Sequence, residues 1–429
     1  MKNANASRFP LLFNLSGLLT CVAFAVAFPL ETIVELYSAV GIFNHQVFFV
    51  SVRNALIAVT ALVCILNMLV NMNHWLRLTS IKIYLFFFLY INIVILLHIG
   101  EQSVVSDQFV TAEKFYYPIV VYYLIYCCLG SHFIFLMRYK YIVLVSTLTA
   151  ALNVLQFINY DTFKIDVTRY VDANFIGHYQ FIGDALAISF LLNIALFSNR
   201  IIQFVLGFSA AVVIFLVGSR TSFAVFTLTY LIFLIIDTRL RWFAALALLI
   251  FAAVLMYGNT IDYSELEQKN PRMFSIFTEY EDDSSIEVRK DLSQTGWNDI
   301  SNSPILGRFG GQRQLGSWNN YMHNVLSYWR QFGIIPFASL MFLYSAFAYF
   351  SHARRSRRSN INYAIPFLLG IFLTVESVIS RSFAFSYMHL FFGVLISFHA
   401  WHNYGENYCI AKTANKTRKK PQRKRRRMT

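Results

Sequence analysis

Charged side chains are scarce in this sequence: Asp, Glu, Lys and Arg supply 14% of 429 residues, against about 25% in soluble domains. That shortage excludes a string of soluble domains. Cysteine offers no framework either. Cys21, Cys64, Cys127, Cys128 and Cys409 lie in apolar stretches or near the C-terminal tail, with no C-x-x-C pair. Neither a disulfide scaffold nor a thiolate metal site can be built from them, and they read as small buried apolar side chains. The segment Leu306-Gly307-Arg308-Phe309-Gly310-Gly311 lacks the G-x-x-x-x-G-K-[ST] spacing that cradles nucleotide phosphates. No repeat at solenoid spacing is evident.

What the chain has instead is apolar length. Hydrophobic residues make up 57% of it. Runs near 11–29, 47–71, 81–99, 118–137, 140–158, 179–197, 201–217, 222–236, 242–257, 331–350, 362–380 and 383–400 approach the roughly 17–25 residues that cross a bilayer. The expected fold is all-α: a polytopic transmembrane helical bundle of about twelve spans. It would occupy residues 1–400, with one large loop at 258–323 and a basic tail at 401–429. Lys2 and Arg8 precede an apolar run containing Ala23, Ala25 and Ala27, which imitates a cleavable leader. The run is long enough to span, so it is expected to remain as the first helix.

The net charge of +14 is unevenly distributed, with ten Lys/Arg between Lys412 and Arg427. If the N-terminus is cytoplasmic, the loops carrying Arg77, Lys82, Arg138, Lys140, Arg200, Arg239, Arg241 and Arg354–Arg358 share its side, as the positive-inside rule demands. The tail then reads as a cytoplasmic topology anchor meeting anionic membrane lipids. It has no interleaved aromatics or folded platform for nucleic acid.

On the opposite side, the 258–323 loop is acidic overall, so its arginines stand out. Ser284-Ser285-Ile286-Glu287 has the capping-box spacing, and Pro304 and Gly307 supply stop signals. Together they predict an amphipathic surface helix carrying Arg289. Arg220 occupies a very short outward turn, Gly218-Ser219-Arg220-Thr221, where a planar guanidinium suits an anionic group at the membrane surface. A structural reading, capping helix carbonyls or snorkelling to headgroups, stands beside it. His323-Asn324 falls where the loop enters an apolar helix, with Arg330 seven residues on and so on roughly the same face. Glu376 and Arg381 could pair with each other or with Arg330, and Arg169 could add positive potential. The acidic run Glu279-Tyr-Glu-Asp-Asp283 lacks a histidine or a spaced D-x-D, so no metal site is expected there.

Taken in order, Gly218-Ser219-Arg220-Thr221, then Arg289, then Trp297-(x)6-Pro304-(x)2-Gly307, then His323-Asn324 and Gly333 resemble the pattern of the bacterial O-antigen polymerase and ligase superfamily. The resemblance covers roughly Gly218 to Tyr344. It implies an inner-membrane glycosyltransferase similar in fold to class C enzymes, with a periplasmic active site, working on undecaprenyl-diphosphate-linked glycans. Arg220 and Arg289 match arginines assigned to the lipid diphosphate. His323 matches the histidine linked to acceptor activation. Arg330, Glu376, Arg381, Arg169 and Asn324 are supporting candidates. The chemistry agrees: arginines can stabilise the leaving diphosphate without a metal or cofactor, and an imidazole can accept the acceptor's proton. Direct displacement would invert the anomeric centre. Tyr321, Trp318, Trp329 and Phe309 are candidates for stacking on sugars.

The leading expectation is a polymerase for O-antigen or capsular polysaccharide that extends a lipid-linked repeat unit, with a chain-length regulator among its expected partners. The alternative is a ligase delivering the finished polysaccharide acceptor-wards to lipid A core, as in lipopolysaccharide assembly. A flippase for lipid-linked sugars would instead concentrate charge mid-membrane, where this sequence has mainly Asp184 and Arg53.

Overall fold

The computed structural model describes residues 18–39, 46–70, 76–102, 120–159, 164–165, 178–236, 242, 284–311, 322–355 and 364–400. They are mostly helical. After a π-helical turn at Val26–Leu30 that contains Pro29 come α1 (Glu31–Ala39), α2 (Gln46–Val70), α3 (Thr79–Gln102) and α4 (Val120–Gly130). A 3-10 segment, Phe133–Tyr139, leads into α5 (Lys140–Leu155). Then follow α6 (His178–Leu196), α7 (Arg200–Val217), α8 (Arg220–Ile236), α9 (Ser284–Asn302), α10 (Leu326–Phe332), α11 (Ile334–Arg355), α12 (Ala364–Ile379) and α13 (Tyr387–Ala400). One departure from the all-helical expectation is a two-residue antiparallel ladder, β1 (Ile158–Asn159) with β2 (Lys164–Ile165), pairing Ile158 with Ile165. The proposed basic tail and the 242–257 span, apart from Trp242, lie outside the described residues.

Helix α6 is apolar on every face, and it is accordingly central: residues 182 to 197 are all buried. Its neighbours are α5, α7, α8 and α12. At 19 residues it is about 28 Å long, close to a hydrocarbon core of about 30 Å. Outer helices show the reverse pattern. On α3, Leu85, Phe86, Leu89, Ile93, Leu96 and Leu97 are 45–64% exposed. Their spacing forms a continuous strip that water would penalise and lipid accepts. Three helical stretches, Thr79–His98, Tyr179–Leu196 and Arg200–Val217, are long and apolar enough to cross a membrane, and shorter apolar helices accompany them.

In lipid, apolar contact gains little over the tails themselves, so close packing and interhelical polar contacts specify the arrangement. Asn193 of α6 donates to Thr147 of α5 at 2.9 Å. At the far edge, α9, the following turn and the short α10 form one braced unit. Arg308 N donates to Arg330 O at 2.6 Å and Ile334 N to Pro304 O at 3.0 Å. Asp299 receives Arg308 at 2.9 Å and Arg330 Nε at 2.8 Å.

Gly333 makes this approach possible. Its φ is +82°, and a Cβ there would lie 1.7 Å from the Ile305 carbonyl oxygen. Gly333→Ala therefore has both a left-handed backbone and a backbone collision to relieve. The expected loss is roughly 2–4 kcal/mol, read as a lowered unfolding midpoint in detergent. An unchanged midpoint would contradict this packing.

Candidate active site

The charged centre of the bundle starts at Asp184 on α6. Gly183 precedes it, and a Cβ at that position would sit 2.6 Å from the Ser219 side chain. The missing side chain thus lets the α7–α8 turn settle directly against α6. Gly218 ends α7 with φ +78°, and Ser219 and Arg220 then start α8. Ser222 donates to Asp184 Oδ1 at 2.6 Å, and the Ser219 and Ser222 hydroxyls are 2.6 Å apart.

From the other side comes Arg381, just beyond α12. Its Nε donates to Asp184 Oδ2 at 2.8 Å and its Nη2 to Oδ1 at 2.7 Å. This is the parallel fork that a guanidinium makes with a carboxylate. Glu376 Oε2 is 3.5 Å from Arg381 Nη2 and accepts from Ser380 at 2.9 Å. All of these groups are buried. The network joins α6, the Arg220 turn and the α12–α13 loop. That loop is further fixed where Phe383 N donates to Ser327 at 2.6 Å and the Phe383 carbonyl accepts from Tyr123.

Above this network lies a cavity of about 350 Å³ whose walls include Asp184, Arg381 and His323. His323 precedes α10, and the Asn324 side chain accepts from Leu326 N at 3.0 Å. Burial first, then the positive charges of Arg289 and Arg381, lower the His323 pKa to about 4. The imidazole is therefore neutral, with a lone pair available, throughout the ordinary pH range.

The sequence candidates thus separate into groups. His323 and Arg381 share the cavity, and Arg289, exposed on α9, acts on His323 through its field. Arg220 is half-buried at the start of α8, beside the Ser219–Ser222 pair rather than in the cavity wall. Glu376 pairs with Arg381 as one expected option had it. Arg330 does not join them: it is 1% exposed and bound to Asp299, so it braces α10 against α9. Arg169 and the acidic run at 279–283 lie outside the described residues.

Two of the stacking candidates pack against other rings. Phe309 is buried against Phe332, and Trp329 packs on Trp297 and Phe337. Trp318 and Tyr321 are outside the described residues. The rings that do line the cavity, among them Tyr122, Tyr126 and Phe385, carried no motif. Ser222 and Asp299 were likewise invisible as participants. For Asp184, an acid inside an apolar run was a usable signal.

Fold and site together define a helical membrane protein with a cavity lined by polar and aromatic side chains. Residues 204–341 match the family model described as O-antigen ligase. That stretch, about a third of the chain, is similar to this family. The match runs from α7 into α11 and contains Arg220, Arg289 and His323; Asp184, Glu376 and Arg381 lie beyond it. A search of curated proteins returned no match.

Proposed function

We propose that this protein is a polysaccharide polymerase of the bacterial inner membrane, with about twelve spans, cytoplasmic termini and a periplasmic site. It takes a glycan from undecaprenyl diphosphate and joins it to a hydroxyl of a lipid-linked repeat unit. The observation that carries this reading is the neutral imidazole of His323 on the wall of a polar cavity, within the family-matched segment.

In this mechanism the acceptor hydroxyl oxygen bonds to the anomeric carbon as that carbon's bond to the phosphate oxygen breaks. The electron pair leaves with undecaprenyl diphosphate, and the hydroxyl proton passes to His323. Arg220 and Arg289 stabilise the departing diphosphate, which makes a metal unnecessary. Attack opposite the leaving group inverts the anomeric configuration. Asp184, steadied by Ser222, holds Arg381 in the cavity wall.

A second reading, ligation of the finished chain to lipid A core, is favoured by the wording of the matched family and uses the same donor chemistry. A deletion strain separates the two. Lipid A core bearing a single repeat supports polymerase; accumulated lipid-linked polymer supports ligase and overturns the first proposal.

The pH profile is a further check. His323 must be neutral to accept a proton, so the acidic fall in activity should lie near pH 4 rather than near the ordinary histidine value of about 6.5. Arg289→Gln removes one opposing charge and should move that limb upward. It should not reach 6.5, because burial is the larger cause. A wild-type limb already at about 6.5 would count against His323 as the base.

A further inference from the structure

The cavity has a second character that acid–base chemistry leaves unused. Its walls combine aromatic rings, including Tyr122, Tyr126, Phe181 and Phe385, with the polar side chains of Gln180 and Ser386. The Gln180 amide and the Ser386 hydroxyl make no hydrogen bond among the described residues. At about 350 Å³ the space lies within the roughly 300–1,000 Å³ of small-ligand sites.

Three ligand chemistries compete for such a space. A polyprenyl tail would gain nothing from Gln180, Ser386 and Asp184, whose polar groups it would strip of water. A diphosphate needs clustered cations, yet among the described lining residues Arg381 is the single Lys or Arg, and its fork is engaged by Asp184. A sugar ring fits both halves: its C–H faces lie on aromatic rings, and its rim of hydroxyls meets amide, hydroxyl and carboxylate groups.

The position of the cavity also says which sugar. His323 is in its wall, whereas neither Arg220 nor Arg289 lines it. The donor's diphosphate therefore belongs to a neighbouring space, and the group beside the imidazole is the acceptor.

We infer that this cavity is the subsite for the terminal sugar of the acceptor, gripped by Tyr122 and Phe385 and read by Gln180 and Ser386. The inference rests on the glycan-transfer reading and names the part of the acceptor that this site recognises. Specificity for the acceptor then resides in α4, the start of α6 and the α12–α13 loop, all three of which lie outside the family-matched segment.

The test uses full-length protein in nanodiscs, with lipid-linked glycan donor and lipid-linked repeat unit purified from the parent cells. Gln180→Leu and Tyr122→Ala should raise the acceptor KM about 3- to 10-fold, the worth of one or two neutral hydrogen bonds or contacts. The donor KM and kcat should hold. In parallel, Gln180→Cys should react with maleimide more slowly when the delipidated repeat-unit oligosaccharide is present. This labelling reads sugar occupancy without turnover and decides the matter if either other variant fails to fold.

A rise in donor KM alone would assign the cavity to the donor and overturn the inference. Unchanged constants for both substrates, or labelling indifferent to the oligosaccharide, would do so as well. Oligosaccharide protection without turnover by the wild-type protein would instead uphold the subsite while sinking the transfer reading.

Discussion

Replacing His323 by alanine should lower glycan transfer by about 100- to 10,000-fold, the usual contribution of a positioned general base, while the protein stays folded. The side chain sits in a non-helical segment before α10 and is only partly buried. The stability change should therefore stay within about 1 kcal/mol. Donor should still reach the outer leaflet and still bind, so the loss belongs to kcat. His323→Gln keeps the bulk and a hydrogen-bonding group but cannot take a proton, and should be equally inactive. Quantitative transfer by either variant in a single-turnover assay would remove His323 from the chemistry.

A second large effect is expected at Asp184. Its carboxylate takes two hydrogen bonds from Arg381 and one from Ser222, all buried within the bundle. Asp184→Ala leaves a buried guanidinium with Glu376 at 3.5 Å as its nearest described carboxylate. Breaking one side of a buried ion pair costs about 3–5 kcal/mol, whereas replacing both partners by apolar groups can be nearly neutral. The single variant should therefore show a much lower unfolding midpoint in nanodiscs. Adding Arg381→Met to Asp184→Ala should restore most of it without restoring activity. Equal midpoints for wild type and Asp184→Ala would mean that the pair does not hold these helices together.

Some of this architecture was readable in advance. The capping signature at Ser284 and the stop signals at Pro304 and Gly307 bracket α9, which runs from Ser284 to Asn302. Gly218 marked the end of α7, where the backbone is left-handed. Such features are legible because capping, turn chemistry and hydropathy act over a few residues. Arg330 shows the limit. As a charge within an apolar helix it pointed toward function, yet its partner is Asp299, 31 residues away, and its work is bracing. Asp299 had been one acid among many in an acidic loop.

The sequence by itself determined a helical membrane protein with an asymmetric charge distribution, and the ordered motifs that carry Arg220, Arg289 and His323. Only the tertiary structure decided which carboxylate takes which arginine, that His323 is neutral, and which rings surround the cavity. Asp184 and Arg381 are 197 residues apart. Nothing local in the chain encodes their meeting; it arises because α6 and α12 pack side by side, with the α7–α8 turn closing over them. The shift of the imidazole has the same origin, since burial and the nearby charges exist only once the helices have assembled.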